Sequence, residues 1–129
     1  MKDPDFLTVQ EILGIHEDQI ESYGGAQGVR DLGLLESAAL TAQASFDGNY
    51  LHTSLFEMAA AHAFHIAENQ PFLDGNKRTG LVAALVFLAL NGIEIDDSEV
   101  ELYGLMIAVS RKQAGKVEIA KLLEALRSS

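Results

Sequence analysis

A chain of 129 residues, 48% of them hydrophobic and only two of them proline, is long enough for one domain with a packed core and is neither a disordered segment nor a fibre. Nine Lys and Arg stand against nineteen Asp and Glu, a net charge of −10, so the clustered cations that a nucleic-acid surface needs are not in supply and direct nucleic-acid binding is disfavoured. The absence of cysteine removes disulfide and thiol chemistry and suits a reducing cytoplasm.

Met1 to Asp5 lacks the apolar run of a signal peptide, and the longest apolar run, Leu81 to Leu90, is too short to span a bilayer. The expectation is a cytoplasmic chain with no membrane contact. Thr8-Val9-Gln10-Glu11 is a capping box opening a first helix to about Ser22, with Val9, Ile12, Leu13, Ile15 and Ile20 on its apolar face. Tyr23-Gly24-Gly25 ends it. After a glycine-rich connection, Asp31 caps a second helix in which Leu32, Leu35, Ala38, Ala39 and Ala42 recur at helical spacing.

Residues 45–53 break that spacing, and Phe46-Asp47-Gly48-Asn49-Tyr50 reads as a turn flanked by aromatics, a small hairpin or flap. Ser54-Leu55-Phe56-Glu57 is a second capping box, for a helix carrying Leu55, Met58, Ala59, His62, Ala63 and Ile66 that Pro71 closes. The segment Thr79 to Leu90 has no polar face and is placed at the centre of a bundle, with a left-handed cap at Asn91-Gly92. Ile93 to Ile95 is a short extended link. Ser98-Glu99-Val100-Glu101 is a third capping box for a helix to about Arg111, and a last helix runs from Val117 to Arg127. The fold class is all-α, a single domain over 1–129 of about six helices.

Between the two long apolar segments lies Asn69-Gln70-Pro71-Phe72-Leu73-Asp74-Gly75-Asn76-Lys77-Arg78-Thr79-Gly80. A polar loop entering a helix presents free backbone N–H groups and the positive end of the helix dipole, here beside two of the few cations in the chain. The stretch therefore predicts an anion site, with a nucleotide phosphate as its natural occupant. Asp74 has two readings, a turn or N-cap residue and a Mg²⁺ ligand facing a nucleotide; magnesium takes one or two protein carboxylates beside phosphates and water. Gly75 and Asn76 read as loop punctuation or as a nest of N–H groups, and Lys77 and Arg78 as surface residues or phosphate partners. His16, His62 and His65 are read as packed or hydrogen-bonded helix residues, and His52 as exposed on the flap. No zinc spacing, Walker loop or dinucleotide fingerprint is present.

The chain resembles the Fic/Doc family, and closely its death-on-curing branch, over nearly its whole length. Ile15-His16, Tyr23-Gly24-Gly25, Leu34-Leu35-Glu36-Ser37-Ala38 and Phe87-Leu88-Ala89-Leu90-Asn91-Gly92 carry the resemblance, and Pro71 to Thr79 carries it most specifically. It implies the all-helical Fic core with the motif loop between two central helices. Members with Gly-Asn-Gly-Arg and a further arginine three residues on transfer AMP to protein hydroxyls. Lys77 in place of the second glycine, and Leu81 in place of that arginine, point instead to the Doc branch, which transfers the γ-phosphoryl of ATP. The resemblance implies a type II toxin that modifies a threonine of the elongation factor delivering aminoacyl-tRNA, with Mg²⁺ and ATP as cofactors and a small Phd-like antitoxin as partner. It assigns Asp74 to the metal and Phe72, Gly75, Asn76, Lys77 and Arg78 to the nucleotide. Lys77 and Arg78 also neutralise charge during transfer.

Gln70 departs from the pattern. The family's motif opens there with a histidine, the general base. A glutamine amide cannot take up a proton near neutral pH, and losing general-base catalysis costs about 10²–10⁴-fold. His65 lies more than a turn upstream and is no substitute. Two alternatives follow: a catalytically silent Fic-fold module that binds nucleotide and antitoxin, and, with less support from Lys77 and Leu81, an AMP-transferase. An internal inhibitory helix is not expected, because Thr53 to Glu57 is followed by Met58.

Overall fold

The structure, a computed structural model, describes residues 3–96 and 99–128. Six helices follow in order: α1 (Val9–Tyr23), α2 (Leu32–Thr41), α3 (Leu55–Asn69), α4 (Asn76–Leu90), α5 (Glu99–Ser110) and α6 (Lys116–Ala125). Two strands, β1 (Ser45–Phe46) and β2 (Asn49–Tyr50), form an antiparallel hairpin between α2 and α3. Asp47 and Gly48 both have positive φ, 55° and 82°, as a two-residue hairpin turn of this hand requires. Among the described residues no helix is long and apolar enough to cross a membrane.

The helix starts follow their caps. Thr8 and Glu11 make both bonds of the capping box, and the Asp31 carboxylate accepts from the Leu34 N–H. At α3 the box closes only half: Ser54 Oγ accepts from Glu57 N–H, while the Glu57 carboxylate turns to the Thr53 hydroxyl at 2.9 Å. The capping box expected at Ser98 to Glu101 begins at a residue outside those described. Gly92 has φ 84°, the left-handed position after α4. The Asn91 amide straps the N-terminal segment to that helix end through the backbone of Asp5.

The centre is shared by two helices. α4 packs against α1, α3 and α5, but α3 is the hub, meeting α2, α4, α5 and α6. Its alanines at 59, 60, 61 and 63 are fully buried and let neighbours approach on several sides. At the α3–α4 crossing, a Cβ added to Gly80 would stand 2.7 Å from the carbonyl oxygen of Ala63. α4 is less enclosed than its composition suggested: Val82, Leu85 and Val86 are half-buried, and Leu90 is 47% exposed. Leu32 is likewise on the outside of α2. The link at 94–96 pairs with the chain end after α6, through Asp96 N–H to Leu126 O and Ser128 N–H to Glu94 O.

Candidate active site

The polar stretch divides into a loop, 70–75, and the first turn of α4. Gln70 caps α3 in the left-handed region (φ 48°, ψ 56°). The pre-proline position thus leaves the right-handed helix as expected, but by the left-handed route. Gln70 is exposed, and its main-chain carbonyl accepts from Arg30 Nε at 2.7 Å. Arg30 Nη2 donates to the Asn69 carbonyl at 2.8 Å. The Pro71 carbonyl accepts from the N–H groups of Arg30 and Asp31, Leu73 N–H donates to Gly28 O, and Val29 and Phe72 form an antiparallel bridge. The segment lying along the motif loop is therefore Gly28 to Asp31. The 45–50 hairpin stands at the other end of α3, a 15-residue helix spanning about 22 Å.

Phe72 is 1% exposed and stacks on His16 with ring centroids 3.8 Å apart and planes 4° apart. Its side chain does not line the site; it anchors the loop. His16 Nε2 lies 2.8 Å from the Asp74 carbonyl, which can only accept, so Nε2 carries the proton. Asn76 clasps the loop from the other side: its Oδ1 accepts from Phe72 N–H, and its Nδ2 donates to Phe72 O. Both ends of that amide are thereby committed to backbone.

α4 begins at Asn76, three residues earlier than Thr79, because Gly75 takes the N-cap position in the left-handed region (φ 75°). The N-cap reading of Asp74 is corrected by this. Thr79 N–H is bonded to Gly75 O, so the N–H groups of Asn76, Lys77 and Arg78 precede the first helical acceptor, and no side chain caps them. Lys77 and Arg78 stand on the helix's first turn. The exposed Asp74 carboxylate accepts from Ala26 N–H at 3.2 Å. Gly25 has φ 116°, which favours glycine, and a Cβ there would stand 3.1 Å from that carboxylate oxygen and crowd it.

These groups border a cavity of about 200 Å³, closed by Tyr23 and Gly24 at the end of α1, Asp74 to Arg78, and Tyr103 on α5. One carboxylate, two cations and uncapped helix amides converge on it. That donor set fits a phosphate chain with a single hard cation. Among the described residues no three metal-ligating side chains come together, so a metal here would draw its remaining ligands from phosphate and water.

Residues 6–88 match the Fic/DOC family. The chain belongs to that family. It is 32% identical over 121 residues to the "Protein kinase doc" of Escherichia phage P1, covering 94% of this chain and 92% of that protein. It is 40% identical over 74 residues to the "Toxin Doc" of Mycolicibacterium smegmatis, 57% of each chain. The mostly helical architecture agrees with a Fic/DOC assignment. Gln70 and the whole motif loop fall inside the matched segment, and Tyr103 falls outside it.

None of the histidines is among the described residues that border that cavity. His62 is fully buried and tilted against Phe87, with no hydrogen-bond partner for either nitrogen among the described residues, and burial pushes its pKa down to about 4. His65 accepts from Lys116 Nζ at 3.1 Å; burial first, then the lysine charge, lowers its pKa to about 4. His52 is corrected from exposed to half-buried, with Nδ1 enclosed and its pKa lowered by burial. Sequence reasoning missed Arg30 and Tyr103. The scarcity of cations that singles out Lys77 and Arg78 applies equally to Arg30, in the glycine-rich connection. Tyr103 carries no local signal, since only packing brings α5 to the cavity.

Proposed function

We propose that this chain is a Doc-type toxin that binds Mg²⁺-ATP at the N-terminus of α4 and transfers the γ-phosphoryl group to a threonine of the elongation factor that delivers aminoacyl-tRNA. The observation that carries the reading is the convergence of Asp74, Lys77, Arg78 and the uncapped amides of α4 on one polar cavity. Asp74 would hold the metal, and Lys77, Arg78 and the N–H groups of the first turn would hold phosphate oxygens. Bound Mg²⁺-ATP would supply the phosphoryl group, and the metal would add positive charge to the phosphates. The protein's own part is positioning and charge stabilisation: the P–O bond to the β-phosphate breaks, a bond to the threonine oxygen forms, and ADP leaves. A Phd-like antitoxin is the partner this reading implies.

Gln70 sets the rate. Its amide can orient the acceptor hydroxyl but cannot remove the proton, which must leave to water. Turnover is therefore expected to be about 10²–10⁴-fold below that of Gln70→His, with nucleotide binding little changed. Intact-mass spectrometry of the elongation factor after incubation with Mg²⁺-ATP, run with both variants, tests this. A one-phosphoryl gain that is fast with Gln70→His and slow with Gln70 supports the proposal. Equal rates would remove the role given to position 70. The same glutamine favours a second reading, a nucleotide- and antitoxin-binding module without chemistry, which gains if neither variant modifies the factor yet both bind nucleotide. An AMP-sized gain would point to AMP transfer, against which Leu81, 7% exposed in the core, stands where a second phosphate-binding arginine would be needed.

A further inference from the structure

Arg78 has an unusual setting for the cation of a phosphate site. Its guanidinium carbon lies 4.0 Å from the ring centroid of Tyr23, at the end of α1, and 4.7 Å from that of Tyr103, on α5. Among the described residues no carboxylate makes an ion pair with Arg78. The same three side chains border both the polar cavity and a small one of about 70 Å³ that Gln19, Leu81, Val82 and Leu85 complete. A lone arginine on a helix surface samples many rotamers and loses that freedom when it binds an oxygen. Ring faces restrain a guanidinium without consuming its N–H groups, which remain free for phosphate.

We infer that Tyr23 and Tyr103 are positioning residues that hold Arg78 in place for a phosphate group in the adjoining cavity, with α5 supplying half of the clamp from beyond the family-matched residues 6–88. A carboxylate partner would cancel the charge that the phosphate site uses; two aromatic rings restrain the side chain and leave the charge intact. The inference rests on the nucleotide-site reading above.

The test is calorimetric binding of Mg²⁺-ATP and of inorganic tripolyphosphate to the full chain. Tyr103→Leu keeps apolar bulk against α4 and removes the ring, whereas Tyr103→Phe keeps the ring and removes only the hydroxyl. Tyr103→Leu is expected to weaken both ligands by about tenfold, and Tyr103→Phe to restore that loss. In an Arg78→Ala background, Tyr103→Leu should then cost nothing further, because the tyrosine acts only through the arginine. Wild-type affinity in Tyr103→Leu, or the same loss with and without Arg78, overturns the inference while leaving the nucleotide site standing. Failure of the wild-type chain to bind either ligand overturns the nucleotide-site reading and the inference with it. Tyr23→Leu provides an independent arm, with the same expected dependence on Arg78, should the α5 variant not fold.

Discussion

Arg30 shows how one side chain fixes the position of another's backbone. Its guanidinium bonds the carbonyls of Asn69 and Gln70, and its N–H reaches the Pro71 carbonyl, so three consecutive carbonyls around the motif's first residue depend on it. Left-handed Gln70 is held in a sparsely populated conformation by these contacts. Arg30→Met keeps the aliphatic stem and the backbone bonds but removes the two side-chain donors. Because Arg30 is exposed, water can replace those donors, and the expected loss of global stability is small, about 1 kcal/mol. The loop should suffer more than the fold. Amide exchange at Gln70, Phe72 and Leu73 is expected to accelerate and, on the nucleotide-site proposal, Mg²⁺-ATP affinity to fall, while the melting temperature moves little. A large drop in melting temperature with unchanged loop exchange would contradict this role.

At the scale of elements, the α3–α4 crossing aligns the motif with the rest of the molecule. Glycine in a helix interior costs about 1 kcal/mol relative to alanine, so on propensity alone Gly80→Ala would stabilise α4. Packing predicts the opposite sign, because the new methyl would meet the Ala63 carbonyl oxygen at 2.7 Å, and backbone cannot move aside as a side-chain tip can. The expected net effect is destabilisation by about 1–3 kcal/mol, read from urea denaturation. A stabilised variant would mean that the helices separate at little cost. The hairpin offers the converse lesson about elements: its turn residues were legible, yet its distance from the site was not, because local turn chemistry says nothing about which end of α3 the site occupies.

For the molecule as a whole, His62 couples stability to pH. Its folded pKa of about 4 lies below the ordinary 6.5, so the neutral form is the one the core accepts. Stability is then complete above about pH 6.5 and declines as pH falls toward 4, because the unfolded chain binds the proton more tightly. Near pH 5 the loss from His62 is about 2 kcal/mol. His65 adds in the same direction, though less, being half-exposed. His62→Leu removes the titration along with two buried nitrogens that lack hydrogen-bond partners among the described residues, and is expected to flatten the fall in melting temperature between pH 7 and 5. An unchanged slope would place the acid sensitivity elsewhere.

Periodicity and caps determined six helices and most of their starts. These signals are local: Thr8 with Glu11, Asp31 with Leu34, and Gly92 after α4 each act within a few residues. The gathering of polar groups in the motif was equally legible, because an acid and two cations lie within five positions, 74–78. What the tertiary structure alone decided is how that motif is held and completed. His16 under Asp74, Arg30 beside Gln70, and Tyr23 and Tyr103 around Arg78 come from other parts of the chain. Their contacts span tens of residues. Such contacts depend on how helices cross, and no local pattern in a single sequence encodes a crossing.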